Sequence, residues 1–328
     1  MIRVLIVSET PADYETTATL RRLTGTPVPG LRVEHLALPP AGATVAAALR
    51  VSRRVETGGM DVLHAFGSRA LLAVSAAGCQ PIVYTPPPGE PTRRFGRLRR
   101  VAALRAVCVA CNGRVARAEL VAAGVDPSRV TVMRPQPPDP PASVVTERAA
   151  LGFAPTDRII LAVGESTRSA RHEHAIWSAV ILHYLDRRYR LLLWARGEAT
   201  DRVRRFADAL QQPGLCVFAP PALDWPDVAR LADVAVWSAI RAAPMLALHA
   251  TAAAGVPLLD IARMRPRVAA QTLLRWFERP HARPTIESRP DESDAPSGYD
   301  WPQLYADALV GRLGPGPTAT TPVVRCAG

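Results

Sequence analysis

The sequence predicts an α/β protein made of two doubly wound domains, and three observations carry that prediction. Short apolar runs alternate with helix-patterned segments through both halves of the 328 residues, the pattern of a parallel sheet with helical crossovers. The proline-rich run at 135–143, PQPPDPPAS, can continue neither a helix nor a central strand, so it separates the halves as a semi-rigid linker. Residues 232–259 read as strand, polar turn at Ser238, small-residue helix, Gly255-x-Pro turn and strand. Such a unit sets its first turn and helix N-terminus at the carboxyl edge of the sheet, where open α/β folds bind ligands.

In chain order, the first domain (1–134) takes strands at 3–7, 31–38, 62–65, 82–85, 106–110 and 130–133, each a short apolar run bounded by turn residues. Helices fall between them at 15–23, 43–56, 69–77, 93–104 and 113–123, with Asp13 and Glu15 suited to the positive end of the first. The second domain (144–278) repeats the alternation, with strands at 158–163, 190–194, 215–218, 234–237 and 257–261. Its helices fall at 172–185, 201–211, 226–231, 244–254 and 267–277. Residues 279–300 are rich in Pro, Asp, Glu, Ser and Arg and read as a loop. A last helix is expected over 301–313, with Pro302 in its first turn and Leu304, Tyr305, Ala308, Leu309 and Leu313 on one side. The tail 314–328 is expected to be disordered.

Composition narrows the class. Apolar residues make up 48% of the chain, with no uninterrupted apolar run near the roughly 20 residues that span a bilayer. MIRVLIVSET runs straight into a strand, without the basic and apolar regions of a secretory signal. Five cysteines (Cys79, Cys108, Cys111, Cys216, Cys326) are odd in number and mostly in apolar settings, which fits a reducing, cytoplasmic setting. The Cys108-x-x-Cys111 pair lies in the apolar run AVCVACN, with no second pair or nearby histidine. It reads as buried strand ahead of a redox or metal site. The net charge of +11 is carried by arginine without a single lysine. Together with abundant Ala, Pro and Gly this suggests a GC-rich genome, so only clusters of arginine inform.

The segments ADVAVWS…AAAGVPLL at 232–259, DVLHAFG followed by PIVYTPPPG, CNGRVARAELVAAGVDPSRVTVMRP, ERAALGFAPTDRIILAVGE, and the helix beginning at Trp301 together resemble those of the retaining GT-B glycosyltransferases, family 4 in particular. The resemblance implies two Rossmann-like domains facing across a cleft, the final helix crossing back to the first. It also implies a nucleotide sugar held mainly by the second domain, an acceptor held mainly by the first, and neither cofactor nor metal. Several of the family's polar positions are changed here. Its two donor-site glutamates fall on Ala242 and Ala250, its phosphate-binding arginine on Glu165 and its lysine on Ala170. Its strand-end histidine falls on Phe66, and the glycine-rich end of one strand keeps only Gly197.

Candidate donor-side residues are therefore Gly164, Glu165, Arg168, Arg171, Gly197, Ser238, His249 and Gly255. Gly164, Gly197 and Gly255 are glycines at which backbone can approach a nucleotide. Arg168 and Arg171 flank the lost lysine, where guanidinium forks could reach a phosphate or simply face solvent. His249 could donate to a ribose or phosphate, or be structural. Acceptor-side candidates are Glu9, Thr10, His64, Phe66 and Thr85, with His64 readable either as a packed core histidine or as a catalytic one. His172 and His174, too close for an i, i+4 metal pair on a helix, read as surface residues.

One basic stretch, TRRFGRLRRVAALRA, sets Arg93, Arg94, Arg97, Arg99 and Arg100 around Phe95, Leu98, Val101 and Leu104. It fits an amphipathic helix on the sheet, a contact with anionic membrane at the inner face, or a polyanion; no nucleic-acid motif supports the last. The resemblance implies transfer of a sugar from a nucleotide sugar to a glycan or lipid-linked acceptor of the cell envelope. The replaced residues leave open an inactive relative that binds a nucleotide sugar or a partner transferase as regulator or scaffold.

Overall fold

A computed structural model describes residues 1–9, 13–25, 28–39, 44–78, 80–86, 104–111, 113–133, 147–239, 245–278 and 301–310. The chain divides into two compact units, Met1–Arg134 with Asp294–Gly328, and Pro135–Ser293.

In the first unit the strands are β1 (Ile2–Glu9), β2 (Leu31–Leu38), β3 (Val62–Phe66), β4 (Ile82–Thr85), β5 (Cys108–Cys111) and β6 (Val130–Val132). They form a parallel sheet in the order β2-β1-β3-β4-β5-β6. Helices α1 (Tyr14–Gly25), α2 (Thr44–Gly58), α3 (Ser68–Ala77) and α4 (Arg114–Ala122) make crossovers between strands. Side chains alternate between the two faces of β1. Leu5 and Val7 join one core with Val51, Leu71 and Val74, while Val4 and Ile6 join the other with Leu20, Leu23 and Phe66. That second face is closed by the last helix described, α10 (Trp301–Val310), whose Leu304, Tyr305 and Ala308 are buried in it.

The second unit has β7 (Arg158–Glu165), β8 (Tyr189–Trp194), β9 (Cys216–Ala219), β10 (Val234–Trp237) and β11 (Leu258–Asp260), all parallel in the order β11-β10-β7-β8-β9. Its helices are α5 (His172–Leu185), α6 (Thr200–Ala209), α7 (Trp225–Arg230), α8 (Met245–Ala253) and α9 (Pro266–Glu278). The apolar run of β7 is fully buried, because helices cover the sheet on both faces. Strand order reverses on either side of β7, so the crevice at the carboxyl ends of β7 and β10 is the topological switch point where such sheets take ligands. In the first sheet the corresponding point lies between β1 and β3.

Cys108 and Cys111 are buried in β5, and burial pushes their thiols up to about 12 and about 11. Among the described residues no three His, Cys, Asp or Glu side chains gather as a metal site, and no helix is long and apolar enough to cross a membrane.

Candidate functional site

Four strand-end loops of the second unit are locked together around the amino end of α5. β7 ends in a register shift between Leu161 and Glu165, and Gly164 there takes φ 86°, a conformation that suits glycine. The chain then turns so that Ser166 N–H donates to Arg196 O at 2.7 Å and Ser166 O accepts from Ala199 N at 2.8 Å, joining the loops after β7 and β8. Gly197, with φ 105°, makes that approach feasible: a Cβ there would lie 2.5 Å from the Ser166 carbonyl oxygen. The Ser238 hydroxyl at the end of β10 donates to Ala170 O at 2.6 Å, and Arg171 Nη1 donates to Ala262 O, past β11, at 3.1 Å. Arg171 holds the left-handed φ of 54° as the residue before α5.

Two buried imidazoles fasten α5 from beneath, which corrects the expectation that His172 and His174 face solvent. His172 bridges Ser166 Oγ (3.1 Å) and the Val163 carbonyl (3.2 Å), and His174 Nε2 donates to the Ile261 carbonyl at 3.0 Å. Since a carbonyl only accepts, Nε2 of His172 carries the proton and Nδ1 accepts from the serine. Burial holds both rings below the usual histidine range, His172 against the pull of the Val163 carbonyl and Glu173. They serve as neutral braces of the loop.

The remaining donor-side candidates take distinct places. Glu165 pairs with Arg196 at 3.3 Å, whose guanidinium lies 4.8 Å from the Trp194 ring centre. Arg168 stands exposed on the braced loop, one turn before α5. His249 is exposed on α8, and Ala250 beside it is buried. Gly255 takes φ 73° in the turn after α8, with open space where a Cβ would sit. Ala242 lies outside the described residues. What the site offers is the amino end of a helix, whose backbone N–H groups and dipole favour an anion, with a cation beside it on a fixed loop.

In the first unit, Glu9 at the end of β1 turns its carboxylate onto the start of α3, accepting from the N–H groups of Arg69 (2.5 Å) and Ala70 (3.4 Å). The chain thus supplies its own anion to that helix end. Gly67, at φ 97°, would place a Cβ 2.5 Å from the same carboxylate oxygen. His64 is fully buried, with Nδ1 at 2.8 Å from the Tyr305 hydroxyl and Nε2 at 2.8 Å from Thr85 Oγ1, and burial lowers it to about 3. Phe66 packs on the His64 ring at 4.2 Å and on Trp301 at 6.3 Å. The structure thus brings His64, Phe66 and Thr85 together beneath α10, with Glu9 apart at α3. Thr10 and the basic stretch Arg93, Arg94, Arg97, Arg99 and Arg100 lie outside the described residues. Sequence reasoning missed the brace Ser166–His172, whose only sign was two polar residues flanking a strand-end glycine and a helix start.

No protein-family model matches the chain, and no curated protein does. Among solved structures, HepE of Anabaena in complex with UDP-glucose superposes with a TM-score of 0.71 at 13% identity, covering 94% of this chain and 100% of that one. Sucrose-phosphate synthase of Thermosynechococcus elongatus gives 0.66 at 13% identity over 94% and 97%. A UDP-N-acetylglucosamine 2-epimerase, so described for Listeria monocytogenes, gives 0.56 at 12% identity over 85% and 89%. The chain therefore shares the GT-B fold of these structures, at low sequence identity.

Proposed function

We propose that the chain binds a nucleotide sugar at the carboxyl edge of the second sheet and transfers its sugar to a glycan or lipid-linked acceptor. The observation that carries this reading is the amino end of α5, fixed by four loops at the switch point, with Arg168 exposed beside it. A departing diphosphate needs positive charge where its negative charge develops, and a braced helix terminus with a guanidinium supplies it without reorganisation. HepE, which shares the fold, has been seen with UDP-glucose, and a uridine nucleotide sugar is accordingly the first ligand to test. The acceptor belongs to the first unit in this reading, and an acceptor at an inner membrane face would suit arginines 93–100.

A second reading has its own support. Glu165 stands paired with Arg196 at the place of the family's phosphate-binding arginine, and Ala250 stands in place of a donor-site glutamate. A protein that binds the nucleotide sugar without turning it over, and regulates or scaffolds a transferase, fits those replacements. The two separate by experiment. Nucleotide sugars and bare nucleoside diphosphates are titrated against the protein by calorimetry and thermal shift, since a ligand of the folded state stabilises it by mass action. A selective response that falls about tenfold or more in Arg168→Ala with Arg171→Ala supports the site, a loss in the range of charge-assisted hydrogen bonds. Sugar release from the bound donor then favours the transferase, and binding without release the regulator. Absence of any response removes both.

A further inference from the structure

We propose that the outer face of α5 is a membrane-contact surface that seats on anionic lipid head groups. The inner side of this helix (Ala175, Ile176, Ala179, Val180, Leu182) fills the core of the second unit, as any amphipathic helix would. Its outer side is apolar too. Trp177, Tyr184 and Leu185 are 45%, 64% and 67% exposed, and with the half-buried Ile181 they form one stripe at i, i+4, i+7 and i+8 spacing. No charged side chain interrupts the stripe between Glu173 and Asp186.

These side chains are propped outward. Trp177 stands edge-on to Phe206 of α6, with ring centres 5.8 Å apart. The Tyr184 hydroxyl accepts from the Gln212 amide at 2.7 Å, and the Arg187 guanidinium lies 5.7 Å from the centre of its ring. Arg187 in turn donates to Gln212 Oε1 at 2.7 Å. Beside the stripe stand the exposed guanidinium groups of Arg187, Arg188 and Arg202. Of these, Arg188 pairs with Asp186 and Arg202 with Glu173.

Size and charge choose the occupant. The exposed parts of the three side chains come to roughly 300–400 Å², under half of the roughly 800 Å² that each partner gives to a stable protein interface. A second copy of the chain is therefore poorly served. Tryptophan and tyrosine are the side chains that settle at the boundary between head groups and acyl chains, and arginines around them are drawn to anionic lipid. The net charge of +11 adds long-range attraction to such a surface.

The test is flotation of the full chain with vesicles of phosphatidylcholine alone, or of phosphatidylcholine mixed with phosphatidylglycerol. The chain should float with the mixed vesicles and release at high salt. Tyr184→Glu with Leu185→Glu should cut that binding at least tenfold, and the milder Tyr184→Ser with Leu185→Ser several-fold, with unchanged melting temperatures at these exposed positions. Brominated lipid should quench tryptophan emission in the natural chain and less so in Trp177→Phe. The proposal fails if the chain ignores anionic vesicles, or if the double variants bind undiminished and only substitution of the arginines at 93–100 releases the protein. It also fails if sedimentation shows a dimer that the double variants break, which would make a second copy the occupant.

Discussion

Gly197 and Gly255 both hold positive φ at the edge of the second sheet, yet they should answer substitution differently. At Gly255 an added Cβ meets nothing within 4 Å, so alanine there costs only the backbone strain, about 1 kcal/mol. At Gly197 it meets the Ser166 backbone as well, and the hydrogen bonds joining the loops after β7 and β8 must give way. Gly197→Ala should therefore destabilise the second unit by roughly 2–4 kcal/mol, a clear drop in melting temperature beside the small one of Gly255→Ala, and should weaken nucleotide binding too. Equal effects at the two positions would show that the approach of the loops matters little. The buried histidines give a pH signature of definite sign. His64 titrates near 6.5 when unfolded and at about 3 when folded, so between these values the unfolded chain binds a proton that the native chain refuses. Stability is complete above about pH 6.5 and falls as pH drops towards 3, by on the order of 4 kcal/mol for this residue. His172 and His174 shift in the same direction and add to the loss. His64→Gln keeps a polar side chain against Tyr305 and Thr85 without the proton linkage. Denaturant melts across this pH range should show a flatter slope for it than for the natural chain.

Single elements carry information of two kinds, and only one of them is local. β5 is a local case: Cys108 and Cys111 sit in an unbroken apolar run, and the run predicts the burial that the strand has. With thiols pushed up to about 12 and about 11 and no access to solvent, both should resist alkylation at pH 8 until denaturant is added, as peptide mapping would record. Modification of the native chain at either residue would contradict the packing of β5. The sheet strands were legible for the same reason, since β1 and β7 are buried on both faces and read as continuous apolar runs. The glycines ending strands were legible as well, because positive φ selects them. α5 shows the other kind. A helix that is apolar all round has no polar face from which to assign sides, and two histidines at its start look like solvent-facing residues. Their partners decide otherwise: His174 reaches the Ile261 carbonyl 87 residues away, a distance in sequence across which no local pattern operates. Glu9 is alike, for its role at the start of α3 depends on a turn 60 residues on. Periodicity thus revealed the frame, while the braces of the candidate site came from hydrogen bonds of buried polar side chains, local for His172 with Ser166 and Val163 and long-range for His174 with Ile261.

At the scale of the whole molecule, the chain makes its second unit from one continuous stretch and its first from two. The consequence for folding follows from where the cores sit. Among the described residues, every buried member of the second unit's main cluster lies between Ile160 and Leu273, and the side chains packed against it run on only to Phe277, so one continuous stretch builds this core. The first unit has no such independence: Leu304, Tyr305 and Ala308 of α10 fill the face of the sheet lined by Val4, Ile6, Phe66 and Val83, and Tyr305 bonds to His64. Deleting residues 301–328 exposes that face to water and removes the Tyr305 hydroxyl from His64. At about 1.5–3 kcal/mol for each large apolar side chain no longer buried, Leu304, Tyr305 and the sheet side chains they cover, the loss matches the roughly 5–15 kcal/mol that holds a domain together. Hydrogen exchange on a chain ending at residue 300 should show β1, β3 and β4 losing protection while β7, β8 and β10 keep theirs. Retention of protection in the first unit would mean that its sheet closes without the last helix. Loss in both units would mean that the second depends on the first, which the closed core of Ile160 to Leu273 argues against.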